Sequence, residues 1–542
     1  MKKILALSLV LMMVLALVLT GCGGSGNQTT TTAAATTAAG TTAAGTTAAA
    51  TTAAPAPAEI VTVDWYNRDS EIHTKKGYQP WLDWMNEYCG EKAGVNVDYH
   101  SLSVSDYEQK VTAVLSAGQP CDILFTSAST LSFPVWQSRD AFAPLDDLMN
   151  EYAQETLAII PEYVWDAARI NGVLYAMPTY KDMTTFAPLT YNETIMEAAG
   201  LLDTVEGMEY YTLYDLNDIL YGVKEYRDSQ KPEYAKLPVH NASNWDHHYF
   251  AYDQLASVAY TAIPGTNGFV EDGYDNGEIV FNKYATKEYE KKALYIKQLV
   301  DDSILAYDWK NLGDTAKTWW QDGVYVTSLG WGDVSVEADK YEGYTMAIKM
   351  PKLSFTGTAY IRAVMQAINN ASADENKVAS MKLLNLLYSD QLVSTSYHFG
   401  APELGWKTTE IDGMTYATFE GTYNEDPKDR GYYYWYHAEA GNLFTSLLAV
   451  GMTPDFFTVL DSMNTNSQTS ANMGFSPDTA PIENEIAALA AVIAEYDDTL
   501  TTGMLPDIAP VLQQFNDKLN ANGAEKVVSE MQTQLDAWKS AQ

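Results

Sequence analysis

Apolar and polar positions in residues 59–542 alternate between two periods, one of strands and one of helices. Residues 60–66 (IVTVDWY) are rich in β-branched and aromatic side chains and predict a strand. Trp81, Met85 and Tyr88 then recur at helical spacing, with Gly90 as the expected stop. Residues 95–99 (VNVDY) alternate as a second strand, and residues 106–115 read as a helix closed by Gly118-Gln119-Pro120. Residues 122–125 (DILF) form a short apolar strand of the buried, parallel kind. Strands alternating with helices imply an α/β fold with a parallel sheet covered on both faces. Ligands of such sheets sit outside the carboxyl ends of the strands, which selects residues 67–70 and 126–130. Further on, Asn171-Gly172 supplies the two positive φ angles of a type I′ hairpin turn and leads into residues 174–178 (LYAMP).

The amino end follows neither period. Lys2 and Lys3 precede an apolar run over residues 4–19, which breaks at Thr20-Gly21-Cys22. A basic head, an apolar core and small residues mark residues 1–21 as a secretory signal. The run falls short of the roughly 20 residues a membrane-spanning helix needs. Leu19-Thr20-Gly21-Cys22 resembles the lipobox, in which the cysteine is acylated and becomes the new amino terminus. That implies lipid anchoring at Cys22 on the extracellular face of the cytoplasmic membrane. Residues 23–57 are written almost wholly in Thr, Ala, Gly and Ser and end in Pro55-Ala56-Pro57. Without charge, aromatics or large side chains they cannot bury a core, so residues 22–58 read as an anchor and disordered leash. A flexible coil of this length reaches about 30 Å.

Composition narrows the remaining 484 residues. They exceed what one hydrophobic core serves, so two or more lobes are expected. The chain carries 33 basic against 70 acidic residues, which argues against nucleic acid or an anionic membrane surface as partners. Besides Cys22 there are only Cys89 and Cys121, too few and too widely spaced for a metal set. Two separately buried thiols are expected.

Several stretches carry a resemblance. NGVLYAMPTY, then LTYNETIMEAAGL with a Thr212-led helix, resembles the family-1 extracellular solute-binding proteins of ABC importers. KTWWQDGVYVTSLGWG is similar to the family's helix–Gly–strand segment that ends on a ligand-facing aromatic. MPKLSFTGTAYIRAVMQAINN is similar to its second crossover, and the segment from Gly474 to the helical carboxyl end to the extension of a carbohydrate-related subset. The resemblance implies a type II two-lobe binding-protein fold with hinge crossovers: 59–180 with about 350–390 as one lobe, 181–349 with about 391–473 as the other, and 474–542 packed on the second. The hinges fall at Met177-Pro178-Thr179-Tyr180 and Met350-Pro351-Lys352, since a few loop residues absorb the backbone change of lobe closure. A monomer that hands an oligosaccharide, or another small polar solute, to importer membrane subunits is implied, with no cofactor.

Sugar rings present apolar C–H faces and many hydroxyls, a mixture that suits Trp and Tyr, of which there are 13 and 37. By location the candidate ligand residues are Tyr66, Asn67, Arg68 and Asp69 after the first strand, and Thr126, Ser127 and Trp136 after the third. Tyr180 and Asp182 flank the first hinge, Trp245 sits in a polar turn, and Trp331 stands between two glycines at a strand end. Glu403 and Trp406 fit a further loop, where the sequence departs from the family's Gly-x-Glu-Gly run, and Trp435 lies in a run of aromatics.

Enzyme chemistry finds no motif here: no Gly-x-Ser-x-Gly elbow, Walker loop or His-Glu-x-x-His helix occurs. Adjacent His247 and His248 point different ways, and residues 271–278 miss the alternating ligand register of a calcium loop. Catalytic and metal residues are therefore none. A surface-anchored carbohydrate-active enzyme or attachment module is the alternative on the same anchor.

Overall fold

The computed structural model describes residues 60–542 except 70, 186, 243–245, 267–268, 307–311, 313, 330–342, 353, 427–428, 434–438 and 453, and the side chains of 242, 314 and 317. Strand β1 (Val61–Arg68) turns Val63, Trp65 and Asn67 inward. Helix α1 (Tyr78–Ala93) buries Trp81, Met85 and Cys89, each one turn beyond the last. Gly90 lies within this helix rather than ending it. Gly94, at φ 69°, forms the left-handed cap, with its N–H donated to the carbonyls of Cys89 and Gly90. Strand β2 (Val95–Leu102) and helix α2 (Tyr107–Ala117) follow, and Gly118 caps the helix at φ 60°. Strand β3 (Ile123–Thr126) is buried at every position.

β1 pairs in parallel with both β2 and β3. The expected all-parallel sheet is nevertheless mixed, because Met365–Ile368 pairs antiparallel with β3 and Ala176–Pro178 antiparallel with that strand. These two strands sit on either side of an excursion through a second sheet, so no helical crossover imposes parallel pairing on them. Asn171 and Gly172 turn at φ 51° and 81° between Arg169–Ile170 and Val173–Leu174, as the hairpin reading requires.

The second sheet orders Met346–Lys349, Leu189–Asn192, Thr327–Leu329 and His240–Ala242 side by side. The chain thus leaves the first sheet after Pro178 and returns to it by Met365. The crossing segments are tied together. Thr185 and Phe355 exchange N–H···O bonds of 2.7 and 3.1 Å, while Gln468 and Ser470 donate to Ser354 and Thr356 at 2.9 Å each.

Two large cores result. One gathers Trp65, Trp81, Phe125 and Met365; the other gathers Tyr191, Tyr249, Phe269 and Tyr289 with Leu489, Phe515 and Leu535 of the terminal helices. A third, smaller cluster surrounds Trp406, Leu448 and Phe456. Helix Gln391–Phe399, placed by the sequence boundary with the second lobe, sends Val393 and Tyr397 into the first core. The reason is Tyr397, whose ring stacks on Trp65 at 5.8 Å. Cys89 and Cys121 are both buried and unpaired, and burial pushes the Cys89 thiol up to about 12.

The second core holds a charged triad. Asp246 accepts from Lys283 and, at 2.5 Å, from Lys292, and the rings of Tyr260 and Tyr284 lie 4.7 and 4.6 Å from the Lys283 ammonium. Burial alone would raise the Asp246 carboxyl, but the two ammonium groups outweigh it and hold the acid well below the usual carboxylate range. Asp246→Asn leaves two buried cations without a counter-ion and is expected to destabilise the fold by about 3–5 kcal/mol at pH 7. Because the native acid is depressed, its contribution is complete above pH ~4 and fades in stronger acid, so the deficit shrinks there. Thermal melts at pH 7 and pH 3 measure both effects.

Candidate binding site

The strand ends selected by the fold rule are built on a buried polar network. Asn67, at the end of β1, donates to the hydroxyls of Tyr99 and Tyr397 at 3.0 and 2.7 Å and accepts from Gln366 at 3.1 Å. Asp69 accepts from the hydroxyls of Tyr99 (2.6 Å) and Ser101. Burial pushes its carboxyl up, opposed by those two hydroxyls. Both side chains are enclosed and engaged with protein partners, so they differ from the expectation of solute ligands: they hold the strand end in place.

Arg68 lies between them and reaches outward. Its guanidinium donates twice to the Glu439 carboxylate at 3.0 and 3.2 Å, donates to Thr130 at 3.2 Å, and lies 4.4 Å from the Phe125 ring centroid. Burial raises the Glu439 acid, while Arg68 and Lys181 pull it back. Lys181 pairs with Asp182 at 3.1 Å, so two cations and two anions cluster where β1 ends and the first crossover begins.

After β3 the chain turns sharply. The Ser127 hydroxyl accepts from the Ser129 and Thr130 amides at 3.1 and 2.8 Å, which fixes the loop before helix α3 (Phe133–Ser138). Thr126 is fully buried and donates to the Leu131 carbonyl at 2.6 Å. This loop forms one wall of a cavity of about 260 Å³. Ser129, Ser132 and Val135 line it from the first core's side, and Asp253, Gln254 and Leu255 from the second's. Thr358, Arg362, Asn472 and Phe475 of the crossing segments close the rest. Arg362 is spent on structure: it donates to the carbonyls of Ala167 and Arg169 at 2.7 and 2.8 Å and to the Ser476 hydroxyl at 2.6 Å.

Asp253 is different. It is 4% exposed, and its Oδ2 has no hydrogen-bond partner. Asn472 lines the same cavity, with its amide nitrogen given to Gly277 and Thr261 at 2.8 and 3.0 Å and its Oδ1 unpartnered. A second cavity, of about 150 Å³, lies among His247, Tyr249, Phe250 and Phe355. Burial pushes His247 down to about 4, and the His247 and His248 ring planes stand at 84°.

The other candidates scatter. Tyr66 stacks on His100 at 4.0 Å, and Trp136 is half-buried with the Arg139 guanidinium 5.3 Å from its ring. Tyr180 donates to Asp461 at 3.3 Å at the first crossover. Glu403 is exposed at φ 65°, whereas Trp406 is buried in the third cluster and donates to the Gly400 carbonyl at 3.0 Å. Trp406 is thus a core residue, for the apolar surroundings of Phe399 and Leu448 enclose it. Trp245, Trp331 and Trp435 lie outside the described residues. None of the other named candidates lines the larger cavity, although Ser127 shapes its wall. Sequence reading missed Asp253, Asn472 and Glu439. For Asp253 a signal existed: it shares a strand face with Ala251 and Leu255, which places an acid in the apolar phase.

An unpartnered buried acid opposes folding once ionised. Burial pushes Asp253 up to about 7, whereas an unfolded aspartate titrates near ~4. Stability is therefore lost as pH rises from about 4 to 7 and is flat beyond. Asp253→Asn is expected to raise the melting temperature at pH 7.5, worth up to about 4 kcal/mol, with the gain vanishing toward pH 4.

Comparison with known proteins places this geometry. A carbohydrate ABC transporter substrate-binding protein of Streptococcus pneumoniae is 24% identical over 478 residues, covering 84% of this chain and 86% of its own length. The crystal structure of an N-glycan transport solute-binding protein from the same species superposes with a TM-score of 0.67 at 19% identity, over 88% of this chain and 98% of that one. An S. pneumoniae ABC-transporter substrate-binding protein in complex with kestose gives 0.55 at 12% identity, over 89% and 100%. These likenesses establish the type II two-lobe fold. A domain of unknown function matches residues 471–540, and the bacterial extracellular solute-binding protein model matches residues 73–392. With that match over more than half its length, the chain belongs to the bacterial extracellular solute-binding proteins.

Proposed function

We propose that this chain captures an oligosaccharide in the cleft between its two cores and delivers it, unconverted, to the membrane subunits of an ABC importer. The observation that carries this reading is the cavity walled by both cores, two of whose lining residues, Asp253 and Asn472, hold unpartnered oxygens. A site made of two lobes closes on its solute, and the solute's differential affinity for the closed form shifts the population. The carbohydrate names and sugar complexes of the relatives support sugar as the cargo. The lobes are built on the first and second cores, with residues 474–542 as an extension of the second.

The solute is proposed to span from the Arg68–Glu439 pair and the 127–132 loop toward the second core. Trp331, Trp245 and Trp435 are proposed as aromatic faces for its rings, with Tyr66, Trp136, Tyr180, Asp182 and Glu403 as further contacts. Cys22 is proposed to carry the lipid, and residues 23–57 the leash. A tethered monomer keeps a high effective concentration beside its importer.

Three results test this. A panel of mannosyl-N-acetylglucosamine, kestose and malto-oligosaccharides is expected to raise the melting temperature without product release, and released product would overturn the reading. Trp331→Ala is expected to abolish that rise while leaving the unliganded melting temperature nearly unchanged; normal binding by this variant would remove Trp331 from the site. Cells fed labelled palmitate are expected to label the chain in the membrane fraction, and Cys22→Ser to lose both label and fraction.

A further inference from the structure

The larger cavity has an unusual balance of hydrogen-bonding groups. Its two unpartnered buried atoms, Asp253 Oδ2 and Asn472 Oδ1, are both acceptors. The Asn472 orientation is set by its surroundings. The Gly277 carbonyl can only accept, so it takes the amide N–H₂ and leaves the oxygen without a partner. Arg362, the cationic donor in the lining, is committed elsewhere, to carbonyls and Ser476. Buried polar groups are almost always paired, and two left open in one cavity call for an occupant that supplies donors. At about 260 Å³ the space lies just under the roughly 300–1,000 Å³ of whole small-molecule sites, so it suits one ring rather than a chain.

We infer that this cavity is a subsite for one neutral sugar ring, which donates hydroxyls to Asp253 and Asn472, and that acidic sugars are refused there. The inference rests on the reading of the chain as an oligosaccharide-capture protein and adds the class of sugar. A neutral ring offers several hydroxyl donors at once. A uronate would bring its own carboxylate into a poorly solvated space already holding Asp253, and once Asp253 is ionised the like charges repel strongly.

The carboxylate's position is set by a second residue. Gly357 follows the crossing strand Phe355–Thr356, and a Cβ built on it would lie 1.7 Å from Asp253 Oδ1. Its φ of −140° is one that any residue adopts, so Gly357→Ala displaces the carboxylate without straining the backbone.

The test is calorimetric titration of the full chain at pH 8.5, where Asp253 is ionised, with kestose and mannosyl-N-acetylglucosamine as neutral probes and a mannuronate trisaccharide as the acidic one. At least one neutral probe is expected to bind and the mannuronate not. Asp253→Asn and Gly357→Ala are each expected to weaken the neutral probe tenfold or more, the worth of a hydrogen bond to a charged group. Neutral binding unchanged in both variants overturns the subsite while leaving carbohydrate capture standing. Mannuronate bound as tightly as the neutral sugars overturns the charge rule. Binding of neither neutral probe counts against carbohydrate capture itself. Asp253→Asn is expected to fold at least as stably as the parent, so its loss of binding reads the site and not the fold.

Discussion

The lateral hydrogen bonds among the chain crossings govern the molecule. Thr185, Phe355 and Gln468 lie on three separate segments, yet Thr185 bonds Phe355 on one side and Gln468 bonds Ser354 on the other. Side chains reinforce the ladder: Thr356 donates to the Met183 carbonyl at 2.5 Å, and Asn464 accepts from the Met183 amide at 2.8 Å. Segments bonded in this way move as one strap. Any rearrangement of the two cores is thereby confined to the few residues flanking it, as in hinge closure.

The same strap sets the chemistry of the cleft. Gly357 comes directly after its middle strand and abuts Asp253, and Asn472 follows its third strand, Gln468–Thr469. The open acceptors are therefore fixed where the cores meet the hinge. A fold that buries an ionisable oxygen without a partner is destabilised by doing so, and such defects concentrate at functional sites. Two other enclosed polar groups are answered within the protein. Asp246 is answered by Lys283 and Lys292, and Asn67 by Tyr99, Tyr397 and Gln366. Asp253 has no such answer at its Oδ2.

Local patterning made much of the fold legible. The period-2 and period-3.6 runs give β1, β2, β3, α1 and α2, and Asn171-Gly172 gives its hairpin, because each depends on neighbours a few residues away. Gly90 was misread as a helix stop, since nothing local distinguishes it from Gly94, which has the left-handed cap. The antiparallel entry of Met365–Ile368 and the inward turn of Tyr397 depend on contacts hundreds of residues apart, beyond any local period. The site was less legible for the same reason. The strand-end rule selects the loops at the ends of β1 and β3, but it marks Asn67, Asp69 and Thr126, whose side chains are enclosed and bonded within the protein. An aromatic such as Trp406 reads alike in a core and in a cleft. Asp253, by contrast, could be noticed only as an acid in an apolar phase.

The most direct measurement is a crystal structure of the chain grown with kestose or mannosyl-N-acetylglucosamine. Expected is a sugar ring between the 127–132 loop and Asp253, with one hydroxyl within about 3 Å of the Asp253 carboxylate. A sugar bound elsewhere, with Asp253 and Asn472 still enclosed and unpartnered, would contradict the role given to the cleft.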